Sequence, residues 1–274
     1  TERVRIFLEQ EPNLKVGTEI ADQLVSLEFC SVSFAYERNR NVLDNISLKI
    51  RKGEKIAIVG DNGAGKSTFL KLLMRLYDPS DGVIIYNGKP LRTYDIDSYR
   101  KHIGVIFQDF QIYELSIAEN VLADCYNASP DEKKNIFNYL RKASFDISDK
   151  QYSQGIATPL GREFNEEGVI LSGGNSQKIA IARALSHDYN LLLMDEPSAS
   201  LDVNAEYELN NAIKTYAQDK AIIFISHRLS TTRLADCIYV FENGKIVEFG
   251  SHEALMACNG KYAEMYRLQA SQYL

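Results

Sequence analysis

Gly60-Asp61-Asn62-Gly63-Ala64-Gly65-Lys66-Ser67-Thr68 decides the fold. The stretch fits G-x-x-x-x-G-K-[ST], and its flanks have the right character. Lys55-Ile56-Ala57-Ile58-Val59 ahead of it reads as a buried parallel strand. Thr68-Phe69-Leu70-Lys71-Leu72-Leu73-Met74 behind it reads as a helix. A strand that ends in a glycine loop and opens a helix aims several backbone N–H groups, and the positive end of the helix dipole, at one spot. Such a loop is a cradle for phosphate. Gly63 and Gly65 are expected to let the backbone come close to a ligand where a Cβ would clash. Lys66 is placed to reach terminal phosphates and Ser67 to ligate Mg²⁺. The pattern implies a nucleoside triphosphate as ligand.

Outward from the loop, strand patterns alternate with helical ones. Leu27, Phe29, Val32 and Phe34 alternate inward, and after a polar loop so do Ile46, Leu48 and Ile50. They read as antiparallel β structure leading into the loop strand. Val83–Tyr86 reads as a strand ending in a type I′ turn at Asn87-Gly88. A short helix near 95–101 and a strand over 103–107 follow. Between about 109 and 187 no strand pattern appears. Ser116-Ile117-Ala118-Glu119 and Ser129-Pro130-Asp131-Glu132 both fit a capping box, so this block is expected to be a helical subdomain inserted into the core. A helix from Ser172 or Gly173 to about Ser186 ends it.

The core pattern resumes at Asn190–Asp195 and at Ala221–Ser226, with a helix between them capped by Asp202. A hairpin turning at Asn243-Gly244 and two C-terminal helices, the first capped by Ser251, complete it. The expected fold class is α/β: a P-loop core with a mostly parallel sheet, an antiparallel β subdomain and an inserted helical subdomain. Ligands of such sheets sit at the carboxyl ends of the strands, where the phosphate loop, Asp195-Glu196 and His227 all fall.

Composition narrows the function. The chain has 274 residues and a formal net charge of −6, with no long basic run, so no nucleic-acid partner is expected. The four cysteines are far apart and lack metal-ligand spacing, so they are expected to be small buried hydrophobes of a reducing compartment. No window approaches the roughly 18 apolar residues of a membrane span, and no leader pattern is visible.

Two further stretches carry chemistry. Asp195 and Glu196 follow an apolar strand. Asp195 suits a metal ion or its water, and Glu196, one residue further out, suits general-base work. Leu171-Ser172-Gly173-Gly174-Asn175-Ser176-Gln177 opens a helix and so makes a second anion-binding N-terminus, although the chain has only one catalytic carboxylate pair.

Together these stretches resemble the nucleotide-binding domain of ATP-binding cassette (ABC) transporters, from about residue 24 to the C-terminus. The resemblance implies ATP and Mg²⁺ as cofactors, and ATP hydrolysis as the activity. It implies a second ABC ATPase domain as partner, in a homodimer or heterodimer. ATP is then sandwiched between Gly60–Thr68 of one copy (Gly60, Asn62, Gly63, Ala64, Gly65, Lys66, Ser67 and Thr68) and the Ser172, Gly173, Gly174 and Asn175 signature of the other.

By the same resemblance Tyr36 stacks on adenine, and Gln108 touches metal and water. Asp195 serves the metal and Glu196 the reaction. Asp202 belongs to the loop that contacts the dimer partner, and His227 senses the γ-phosphate. Two positions depart from the family pattern. Asn175 stands where glutamine is usual, and Asn165-Glu166-Glu167-Gly168 stands where exporters usually show Gly-Glu-Arg-Gly. Ser172 and Gly174 are kept, so activity is expected to survive.

Ser116–Asn120 and Ser226-His227-Arg228-Leu229-Ser230-Thr231 resemble the exporter branch. The resemblance therefore implies residues 1–22 as a linker from an upstream membrane domain and 23–274 as the ATPase domain. It also implies a location on the cytoplasmic face of a cell membrane, in a bacterium. The alternative is a soluble ABC ATPase of a non-transport process.

Overall fold

A computed structural model of the chain describes residue 14 and residues 17–37, 40–196, 220–226 and 232–271. In chain order the strands are β1 (Ser26–Phe34), β2 (Leu43–Arg51), β3 (Lys55–Gly60), β4 (Asp81–Tyr86), β5 (Lys89–Pro90), β6 (Ile103–Ile106), β7 (Leu191–Asp195), β8 (Ala221–Ile225), β9 (Cys237–Glu242) and β10 (Lys245–Gly250). The described helices are α1 (Lys66–Leu73), α2 (Ile96–Arg100), α3 (Ile117–Leu122), α4 (Pro130–Lys142), α5 (Gly173–Leu185), α6 (His252–Cys258) and α7 (Lys261–Ala270). No helix among the described residues is long and apolar enough to cross a membrane.

Two sheets form. β2-β1-β4-β5 is antiparallel, and β10-β9-β3-β8-β7-β6 is parallel except for the β9–β10 hairpin. The antiparallel strands thus make a sheet of their own. The large sheet separates two apolar cores. Along β3, Ile56 and Ile58 face one core, which also holds Phe69 and Leu72 of α1 and Phe29 and Ile46 of the small sheet. Ala57 and Val59 face the other, against Ile117, Leu140 and Ile179 of α3, α4 and α5. Residues of period two that are buried on both faces explain why these strands read as unbroken apolar runs.

Local chemistry sets the joints. Asn87 and Gly88 have φ of 49° and 83°, and Asn243 and Gly244 have 48° and 78°, as type I′ turns require. Ser116 makes the full capping box: its Oγ accepts from Glu119 N, and the Glu119 carboxylate accepts from Ser116 N. Ser129 makes only half of one. Its Oγ accepts from Glu132 N at 3.2 Å, but Glu132 Oε2 accepts from Asn127 N at 2.8 Å. The left-handed turn at Ala128, φ 56°, puts the Asn127 amide within reach instead.

The cysteines also differ from expectation. Cys125 and Cys258 are exposed, while Cys30 and Cys237 are half-buried; all four are free thiols. Cys125 follows the end of α3 and Cys258 closes α6, so neither reaches a core.

Of residues 1–22, residue 14 and residues 17–22 are described, and residues 19–21 run along the segment that leads from β5 into α2. Glu19 N donates to Thr93 O, Asp95 N to Glu19 O, and Ala21 N to Ser98 Oγ, with Ala21 buried.

Candidate functional site

The parallel strands deliver their carboxyl ends to one edge of the sheet. Gly60 ends β3, Asp195 ends β7 and Ile225 ends β8, while Gln108 lies two residues beyond β6. A cavity of about 290 Å³ opens there. It is lined by Asn62, Gly63, Gly65, Lys66, Ser67 and Thr68 of the loop and by Gln108, Asp195 and Glu196, with Val42 and Ile225 as apolar walls. The structure therefore brings together residues that the sequence separates by more than a hundred positions. Val42 and Ile225 had no signal of their own in the sequence.

Lys66 is the charge at the centre. It is buried, and its Nζ donates to Gly60 O at 2.7 Å and Asp61 O at 2.9 Å, which curls the loop around the ammonium. Burial pulls its pKa below the usual lysine value, while Glu196, Asp195 and Asp61 oppose that pull. The loop glycines differ from each other. Gly65 has φ 102°, and a Cβ there would lie 2.6 Å from Leu43 Cδ2 and 2.9 Å from Val42 O. Gly63 has φ 80° and faces open space, with nothing within 4 Å of a Cβ. Packing excludes a side chain at Gly65; at Gly63 the left-handed backbone alone resists one, and no protein atom does.

Glu196 is held in the left-handed region at φ 50°, unusual for a residue with a side chain, and its N–H donates to Ile225 O at 3.0 Å. Tying that amide to the end of β8 is the device that keeps the strained backbone in place. Backbone strain of this kind concentrates at functional sites. No periodicity in the sequence marks it.

Tyr36 sits beside the cavity rather than in it. Its hydroxyl is 3.3 Å from Thr68 Oγ1, and Lys71 Nζ donates to it at 3.2 Å. Phe34 and Tyr77 both brace the ring edge-on, with centroids 5.0 and 5.3 Å away. About half of the Tyr36 surface remains open.

The second glycine motif lies elsewhere. Ser172, Gly173, Gly174 and Asn175 form the N-terminus of α5, none of them lines the cavity, and Ser172 and Gly173 are exposed. Ser172 Oγ accepts from Asn175 N at 3.3 Å, and Asn175 Nδ2 donates to Tyr152 OH at 3.2 Å. The departure at Asn175 thus has a local role: it holds a tyrosine that packs on Phe145.

A network missed in the sequence ties α5 to the segment after Gln108. Arg183 donates to Asn120 O at 2.7 Å and Gln111 O at 3.1 Å and stacks over Tyr113. Fully buried Asn120 bonds both the N–H and the C=O of Tyr113. Of the expected site residues, Asp202 and His227 lie outside the described residues.

Against this geometry the comparisons are specific. The family model described as ABC transporter matches residues 43–199. A probable multidrug resistance ABC transporter ATP-binding/permease protein of Bacillus subtilis, YheH, is 38% identical over 98% of this chain and 39% of its own length. An ATP-dependent lipid A-core flippase of Paraburkholderia xenovorans is 38% identical over 90% of this chain and 41% of its own. A solved bacterial Atm1-family ABC exporter with ATP bound superposes with a TM-score of 0.84 at 33% identity, over 98% of this chain and 46% of that one. The chain belongs to the ABC transporter family and carries its ATP-binding domain. It spans less than half the length of each of these relatives.

Proposed function

We propose that this chain hydrolyses ATP and, paired head to tail with a second such domain, drives export through a membrane domain. The observation that carries the reading is the convergence of Lys66, Ser67, Gln108, Asp195 and Glu196 on one cavity at the carboxyl ends of parallel strands.

The donors there fit Mg²⁺. The Ser67 hydroxyl, the Gln108 amide and the Asp195 carboxylate supply hard oxygen ligands, and Mg²⁺ takes one or two carboxylates together with substrate phosphates. Among the described residues there is no cluster of three histidine, cysteine or acidic residues that would form an all-protein cage. When bound, the ion, held by Ser67, Gln108 and Asp195, would offset the charge of the phosphate oxygens. Lys66 turns its ammonium from the Gly60 and Asp61 carbonyls to the terminal phosphates. The N–H groups at the start of α1 take the remaining oxygens. Tyr36 offers its open face to adenine. Glu196 accepts the proton of a water that attacks the γ-phosphorus, and the bond from phosphorus to the ADP oxygen breaks.

Ser172, Gly173, Gly174 and Asn175 act in trans. Their exposed helix N-terminus suits the γ-phosphate of a partner's ATP, and their absence from the chain's own cavity supports that division. His227 and Asp202 are assigned to γ-phosphate sensing and to the dimer contact. Residues 1–22 are assigned as a linker to a membrane domain and residues 23–274 as the ATPase domain, with its helical part over about 109–187. The site then lies on the cytoplasmic face of a bacterial membrane.

Phosphate release with Mg-ATP tests the reading. Wild type turns over, Lys66→Met neither binds nor turns over, and Glu196→Gln binds but does not turn over. Turnover by Glu196→Gln at the wild-type rate would remove Glu196 from the reaction.

A further inference from the structure

The last helix returns a charge to the phosphate loop across 200 positions of sequence. Lys261, the first residue of α7, donates from Nζ to Asp61 Oδ2 at 3.0 Å and to Glu242 Oε1 at 2.5 Å. Its ammonium is not what seats the helix. Lys261 N and Tyr262 N donate to the two oxygens of Glu248 at 2.6 and 3.0 Å, and Tyr262 OH lies between Thr232 Oγ1 and His252 Nδ1. The side chain therefore serves the loop while it also pairs with Glu242 of β9.

The loop needs it. A site for a phosphate chain should be positive, yet beside Lys66 lie three carboxylates: Asp61, Asp195 and Glu196. The last two have work to do in the reaction proposed above. Asp61 has none, and its charge is felt at Lys66.

We propose that Lys261 is a positioning residue of the nucleotide site. It neutralises Asp61 and holds that carboxylate out toward Glu242, so that Asp61 neither competes for the Lys66 ammonium nor repels incoming phosphate. The inference rests on the nucleotide-binding reading. It makes the start of α7 part of the site without touching the ligand.

Binding of a fluorescent ATP derivative, mant-ATP, in EDTA tests it on the 274-residue chain. Lys261→Gln weakens binding roughly three- to tenfold, the size of one uncompensated charge near a protein surface. The loss shrinks at high salt. Asp61→Asn binds at least as tightly as wild type, and adding it to Lys261→Gln restores affinity to within about twofold of Asp61→Asn alone. A helix that merely stabilises the fold would show no such rescue.

Unchanged binding by Lys261→Gln, or failure of Asp61→Asn to rescue it, overturns the proposal. If Lys261→Gln does not fold, Asp61→Asn decides alone, and weaker binding than wild type refutes the charge argument. Absence of binding by wild type itself would overturn the nucleotide reading, and this inference with it.

Discussion

Replacing Gly63 and Gly65 by alanine, one at a time, separates what the phosphate loop owes to the protein from what it owes to the ligand. At Gly65 an alanine must hold φ 102° and push its Cβ against the Val42 carbonyl and the Leu43 methyl. Left-handed strain costs about 1–2 kcal/mol. Overpacking against backbone adds about 1–3. The sum is about 3 kcal/mol, or a fall in Tm of roughly 6–12 °C for a chain of this size. At Gly63 the new Cβ meets nothing, so only the conformational cost of about 1 kcal/mol remains, roughly 2–4 °C.

With ATP the order reverses in kind. Gly63→Ala places its methyl in the cavity and loses affinity by at least about tenfold, a penalty of about 1.4 kcal/mol. Thermal melts without nucleotide, followed by melts across an ATP titration, read both quantities. Equal destabilisation of the two variants without nucleotide would refute the packing argument at Gly65. Undiminished ATP protection of Gly63→Ala would refute the claim that the ligand fills that space.

The buried charge on Lys66 makes binding pH-dependent. Burial favours the neutral amine, so the free protein loses this charge below the ordinary 10.5, and ATP affinity falls as pH rises through that shifted value. The unfolded chain holds this proton to higher pH, so over the same window ligand-free stability rises with pH. Lys66→Met abolishes binding and flattens both trends; binding and melts from pH 8 upward would check this. Arg75, fully buried, donates to Tyr94 O at 2.8 Å and Arg92 O at 3.2 Å. Arg75→Met strands those carbonyls and lowers stability by about 3 kcal/mol in denaturant melts, without a change in ATP affinity once folded.

Elements whose signal is local were legible in the sequence. β3, the phosphate loop and α1 follow from a buried run, a glycine pattern and a helix start within some twenty residues. The Asn-Gly turns and the Ser116 box depend on neighbours three or four positions apart. The site carboxylates were legible because strand ends converge in a parallel sheet. What escaped depends on distant partners. Arg75 looks like any surface arginine until the carbonyls of Arg92 and Tyr94 close over it. Asn120 and Arg183 look like helix-surface residues until the segment after Gln108 folds onto them. The Ser129 box failed by one turn residue, Ala128, whose left-handed φ moved a competing amide into range. The Cβ clash at Gly65 comes from Leu43 and Val42, on a different strand and the turn before it.

The most direct test of the central claim is the mass of Glu196→Gln in solution, measured by size-exclusion chromatography with light scattering, with and without ATP. The account predicts a monomer or weak dimer without nucleotide. With ATP it predicts a stable dimer, since the exposed Ser172–Asn175 helix start of each copy closes over the other's trapped phosphates. A variant that binds ATP yet keeps the same mass would contradict the sandwich, and with it the role given to the second glycine motif.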